Sequence, residues 1–237
     1  MVNLGFSTGC FYQSGLHERK KLELIATAGC KAVELGFVEL TDFLGKQLSQ
    51  FAVLTKTDLA PFDYVSLHAP IHTYGRNELT KRVLGLIRDF HTRVRPLNLV
   101  VFHPDNVQEF SVFENCGLPV AFENMDARKA FGQSPSDMLS LMDVDENRRM
   151  VLDVNHSYTI HGTPYLAAAF WQRLWSWIDQ VHLSGYAPPD HSHWPLFKTG
   201  QIEIIRSIQN WNLPIIVESV LAPEELVLER DYILENL

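Results

Sequence analysis

The sequence predicts an α/β chain closed into a single (β/α)8 barrel over residues 1–237. Three observations lead there. Eight short β-rich runs alternate with helical segments from one end to the other. The length of 237 residues is what one such barrel takes, about 250 being typical. No Gly-rich phosphate fingerprint marks the open doubly wound sheet, which is the alternative.

The β-rich runs are 4–8, 32–35, 64–67, 99–102, 120–122, 150–152, 180–183 and 215–217. They are short and apolar without clean alternation, as expected of strands buried on both faces of a parallel sheet. Between them, 18–28, 78–94, 135–142, 164–178 and 202–211 carry apolar residues at three- and four-residue spacing and read as amphipathic helices. Gly29 is placed to end the first. Thr163-Pro164, Ser134-Pro135 and Ala222-Pro223 are helix starts, with proline at the first helical position. No linker, charge run or composition shift divides the chain, so one domain is expected.

With 46% hydrophobic and 20% charged residues the chain has material for a buried core and reads as soluble and globular. The longest apolar stretch, 165–178, is interrupted by Gln172 and Arg173 and falls short of the roughly 20 residues of a membrane span. No secretory signal is visible at the start, so a cytoplasmic location is expected. Cys10, Cys30 and Cys116 are too few and scattered for a disulfide framework or a cysteine zinc cluster, and read as core thiols. The net charge of −8 argues mildly against a broad nucleic-acid surface.

Six of the eight runs finish on a residue able to bind a metal: His68, His103, Glu123, Asp153, His182 and Glu218, separated by 20 to 36 residues, about one βα unit each. In a barrel they converge on the C-terminal mouth, where barrel active sites are built. Carboxylates directly after apolar runs need a compensating cation or proton. His156, Asp190, His191 and His193 lie just beyond the strand ends. Histidines mixed with carboxylates suit zinc or manganese better than magnesium or calcium.

Other residues read more plainly. His17 and His91 lie in helical segments and are expected to be solvated, and His161 carries no assigned role. His72, Tyr74 and Arg76, in the connection after the third strand, are substrate-contact candidates or part of an ordinary βα connection, and Glu34, at the end of the second, is either a group supporting the ligands or part of the substrate pocket. Trp171, Trp175 and Trp177 share helical spacing with Phe170 and Leu174 and read as core or a subunit interface, so an oligomer is an open expectation.

Taken in order, Leu67-His68-Ala69-Pro70, Phe102-His103-Pro104, Phe122-Glu123-Asn124, Leu152-Asp153-Val154-Asn155-His156, Val181-His182-Leu183, the segment 190–193 and Val217-Glu218-Ser219 resemble the xylose isomerase-like TIM barrels, and among them metal-dependent apurinic endonucleases of the endonuclease IV type (AP endonuclease family 2). The resemblance implies three zinc ions on His68, His103, Glu123, Asp153, His156, His182, Asp190, His193 and Glu218. In the sugar isomerase and epimerase branch it implies one metal on Glu123, Asp153, His182 and Glu218. The endonuclease branch usually has Asp-x-His after the seventh strand; Asp190-His191-Ser192-His193 leaves His191 and His193 as alternatives, with His193 in the ligand set and His191 toward the substrate. The endonucleases are longer chains, and the segment 36–41 is acidic and apolar where DNA contact favours basic or amide groups. The substrate-binding arginine that many epimerases carry shortly after the position of His182 is missing from Ser184-Gly185-Tyr186-Ala187-Pro188.

Three functions remain open on these residues. One is hydrolysis of a phosphoester or small sugar-phosphate-type substrate on two or three divalent ions, with Glu123 bridging. The second is isomerisation or epimerisation of a small sugar on one metal, with Glu123 and Glu218 moving a proton. The third is a barrel that binds a ligand without turnover. A small sugar or phosphoester fits the acidic loops better than DNA, and no membrane partner is expected.

Overall fold

The computed structural model describes residues 2–37, 40–45, 51–145 and 147–237; of 41, 42 and 190–192 it describes the backbone alone. Eight parallel strands close the barrel: β1 (Leu4–Ser7), β2 (Ala32–Gly36), β3 (Tyr64–His68), β4 (Leu99–Phe102), β5 (Val120–Glu123), β6 (Arg149–Asp153), β7 (Ile178–Leu183) and β10 (Ile215–Val217). They run around the ring as β1-β10-β7-β6-β5-β4-β3-β2. A two-stranded antiparallel hairpin, β8 (Gly185–Ala187) and β9 (Asp190–Trp194), follows β7 over the mouth and was not anticipated.

The strands do alternate, in the opposite sense to a half-exposed sheet. Register sets Glu34 beside Ser66 and Leu99, and Asp153 beside His182 and Ile216. Many of the residues sharing this inward face are polar or small; the apolar ones are Ile216 and a separate cluster of Leu99, Val101, Ala121 and Val151. The residues between them, among them Val65, Leu67, Val100, Phe102, Phe122, Leu152, Val181 and Val217, join the large core packed under the helices. Inversion of the pattern, with apolar residues outward, is what a small barrel with a chemical site in its mouth requires.

The local starts and stops follow the sequence. The helix Glu18–Thr27 ends before Gly29 at φ 82°, a left-handed position. Ser134 and Asp137 form a capping box at Pro135–Met142. The segment 164–178 is not one helix: it stops at Leu174, because the Trp177 carbonyl accepts from Met150 N–H at 2.8 Å and the chain enters β7. Trp171 is buried, Trp175 is exposed and Trp177 is half-buried, so the tryptophans do not share one environment. The helix at 202–211 is likewise cut to Ile202–Arg206, where the Ser207 hydroxyl back-bonds to Ile204 O and Asn210 accepts from Asn212 N–H in a turn. No helix among the described residues is long and apolar enough to cross a membrane.

Closure of β1 against β2 needs a glycine. A Cβ on Gly5 would lie 2.1 Å from the Ala32 carbonyl oxygen, a backbone atom that cannot move without opening the ladder. Gly5→Ala is expected to lower unfolding free energy by about 2 kcal/mol or more, the scale of core overpacking; an unchanged denaturant midpoint would contradict this register.

Candidate metal centre

The strand ends deliver the donors. His68, Glu123 and Asp153 are the last residues of β3, β5 and β6; His182 lies in β7; His103 and Glu218 directly follow β4 and β10. Asp153 also caps the helix Val154–His161, accepting from His156 N–H at 2.8 Å, and so aims His156 into the mouth one turn on. The hairpin brings His193, through β9.

Three overlapping groups result: His68, His103 and Glu123; Asp153, His156 and His193; and Glu123, Asp153, His182 and Glu218. In each, one donor atom per residue lies within 4.8 Å of the others. Glu123 belongs to two of them. Its Oε2 is 3.2 Å from His68 Nε2 and 3.1 Å from His103 Nε2, and its Oε1 is 3.0 Å from His182 Nδ1 and 3.4 Å from His156 Nδ1. The His68 and His103 Nε2 atoms are themselves 3.0 Å apart.

Beneath the ring, fixed partners orient the imidazoles. The Nδ1–H of His68 has the Ala69 carbonyl at 3.1 Å and that of His156 has the Asn124 carbonyl at 2.8 Å. Nε2 of His182 lies 3.2 Å from Glu34 Oε2, which also accepts from Ser66 Oγ at 2.9 Å and Gln180 Nε2 at 2.8 Å, while Tyr64 donates to Gln180 Oε1 at 2.9 Å. Gln180 Nε2 also lies 2.7 Å from His182 Nε2, and the nitrogens facing the Glu123 carboxylate, His68 Nε2 and His182 Nδ1, are placed to take either a proton or a cation there. Asp153 Oδ2 and Glu34 Oε1 are buried with no hydrogen-bond partner. The donor set fits divalent ions of the zinc or manganese class.

Without a cation the charges settle by holding protons. Burial raises Asp153 to about 7 and Glu218 to about 8, with Glu123 adding repulsion to both. Burial opposes charge on His68, but Glu123, Glu34 and Glu218 outweigh it and lift the ring to about 9; His182 is raised for the same reasons. Burial beside His156 pushes His193 down to about 3.

A cavity of about 600 Å³ opens over the ring. Ser7, Cys10, Tyr12, Phe37, Met125, Arg128 and Lys129 line it with the ring residues, and none of these seven was singled out for the site from the sequence. The structure does not bring the expected substrate contacts His72, Tyr74 and Arg76 to its wall. The His72 ring pairs with Thr80 at 3.2 Å, Tyr74 is buried with its hydroxyl on the Pro70 carbonyl at 2.8 Å, and Arg76 reaches Ser111 at 3.1 Å on the surface. Glu34 is fully buried under His182 and acts on that ring instead of on the cavity. The side chains of Asp190 and His191 lie outside the described residues. His17 caps the first helix, accepting from Lys20 N–H, and His91 accepts from Leu97 N–H.

No protein-family model and no curated protein sequence matches the chain. Solved structures do. Endonuclease IV from Thermus thermophilus superposes with a TM-score of 0.69 at 16% identity, covering 99% of this chain and 98% of that one. The fold is that of the xylose isomerase-like barrels. A xylose isomerase domain-containing protein of Salmonella typhimurium gives 0.65 at 15% identity, over 99% of this chain and 96% of the other. The IolI protein, solved with a zinc atom, gives 0.65 at 14%, over 99% and 96%.

In chelator-treated protein the His68 ring is expected to stay a cation until about pH 9 and the His193 ring to stay neutral down to about pH 3, followed by ring-proton NMR. Titration of both near 6.5, the free-histidine value, would contradict the packing of the ring.

Proposed function

We propose that the protein is a metal-dependent hydrolase of small phosphoesters, using two or three divalent cations, zinc or manganese. His68, His103, Glu123, Asp153, His156, His182, His193 and Glu218 would hold them, with Asp190, whose side chain lies outside the described residues, as a further candidate. The observation that carries this reading is Glu123, whose two oxygens face different histidine pairs, the disposition of a carboxylate bridging neighbouring cations. Cations bound there supply Lewis acidity at phosphoryl oxygens and a water of lowered pKa. The chain's own part is orientation and exclusion: Glu34 and the Asn124 and Ala69 carbonyls fix the imidazoles, and the apolar walls from Phe37 and Met125 limit water. Glu218, with 16% of its side chain exposed against 1% for Glu123, is the carboxylate open to a proton on substrate. The zinc atom bound to the IolI protein supports metal use by a barrel of this fold.

A second reading, a one-metal sugar isomerase or epimerase on the Glu123, Asp153, His182 and Glu218 group, draws support from the D-allulose 3-epimerase of Methylomonas sp., with a TM-score of 0.62 at 13% identity. It leaves His68, His103, His156 and His193 without a task. It also asks a nearly covered Glu123 to reach a substrate carbon. Abasic-site cleavage in DNA draws less support, since the net charge of −8 opposes association with a phosphate backbone.

Protein loaded with zinc or manganese is expected to hydrolyse p-nitrophenyl phosphate or its diester. Glu123→Gln should lower kcat/KM by about 100-fold or more, the scale of losing one preorganised charge-stabilising group. Ketose epimerisation without hydrolysis, or full activity in the variant, would overturn the reading.

A further inference from the structure

The wall of the cavity after β5 carries two cations that the metal chemistry does not use. Arg128 and Lys129 follow Glu123 on the connection 124–134, and both line the cavity. This connection is held rigidly. Met125 N–H donates to Gly132 O at 2.9 Å, Ala127 N–H to Thr159 Oγ1 at 3.1 Å, Lys129 N–H to Asp126 O at 3.1 Å, and the Gln133 amide to the Asp126 and Lys129 carbonyls.

Each cation is buttressed from behind. Arg128 meets Asp126 through two bonds, Nε to Oδ1 at 3.1 Å and Nη2 to Oδ2 at 2.6 Å, and Lys129 Nζ meets Asp105 Oδ2 at 2.7 Å. The exposures give the pairs a direction: Asp126 is 4% exposed and Arg128 55%, Asp105 is 15% and Lys129 29%. Within each pair the cationic group is the more exposed member, and Asp126 shares the cavity wall with Arg128 and Lys129. Both cations lie on the cavity wall, where a partner carboxylate fixes each of them. A planar guanidinium held in a fixed fork, beside an ammonium, is a preorganised receptor for an oxyanion. Two adjacent positive heads suit a dianion better than a single carboxylate.

We propose that Arg128 and Lys129 form a phosphate subsite, which holds the phosphate at the end of the substrate remote from the group over the ring. Resting on the hydrolase reading, it narrows the substrate class to sugar-sized molecules carrying a phosphate in addition to the reacting group. The cavity volume of about 600 Å³ accommodates such a molecule between this wall and Tyr12 on the connection after β1.

The test is calorimetric binding of D-ribose 5-phosphate and D-ribose to zinc-loaded protein, in the wild type, Lys129→Gln, and the Arg128→Gln/Lys129→Gln double variant, with zinc per chain measured for each. The wild type is expected to prefer the phosphorylated sugar by about tenfold or more, as for a charge-assisted pair of contacts. The single variant should lose part of that preference and the double variant nearly all of it, with zinc content unchanged. Equal or undetectable binding of the two sugars by the wild type, or a preference that survives in both variants, overturns the subsite. Should the protein hold no zinc while the preference still depends on these two residues, the subsite stands and the hydrolase reading falls.

Discussion

Carboxylates are costly to bury without a counter-charge or a set of hydrogen bonds, and this barrel closes over Glu34, Glu123, Asp153 and the largely covered Glu218. The rest of the mouth is organised around that constraint. His68 and His182 turn nitrogens toward these oxygens while their other nitrogens are tied to the Ala69 carbonyl and to Glu34. Protons can balance the ring in part, which is why His68 and His182 are pulled toward the cationic form. Divalent cations balance it with better geometry, since each can take several donors at once and none of the lone pairs need face another.

Barrel closure makes the constraint bearable. Eight strands supply a rigid frame in which successive residues point alternately inward to the site and outward to the helices. The outward residues bury most of the apolar surface, so the inward face is released from packing duty and filled with polar groups. Ile216 and the small cluster of Leu99, Val101, Ala121 and Val151 stay apolar within. Glu229 extends the same logic to the far side of the mouth. Its buried carboxylate accepts from the Leu196 and Phe197 amides and the Ser219 hydroxyl, joining the C-terminal helix to the residue after Glu218.

Much of this was legible before the structure. The strand cores, the single closed barrel and the convergence of His68, His103, Glu123, Asp153, His182 and Glu218 follow from short runs ending on chemically similar residues. Less visible was the alternation Tyr64, Ser66, His68 and Gln180, His182, Ser184, which reads as polar interruption unless the apolar face is known to look outward. That signal would have found Ser66 and Gln180 and decided between the two readings of Glu34 in favour of the layer under His182. His72, Tyr74 and Arg76 were misplaced because residues near in sequence to a ligand need not share its direction: the Tyr74 ring folds back between Phe102 and Phe113. The hairpin β8–β9 and the positions of Arg128 and Lys129 depend on connections, whose courses are set by tertiary contacts rather than by periodicity.

The central claim is that one ring of side chains holds neighbouring cations bridged by Glu123. Anomalous diffraction from crystals grown with zinc, recorded on both sides of its absorption edge, tests it most directly. The account predicts two or three peaks within the ring, one on each side of the Glu123 carboxylate. A single peak on Asp153, His182 and Glu218 would contradict the bridged centre, and an absence of peaks would contradict the metal site itself.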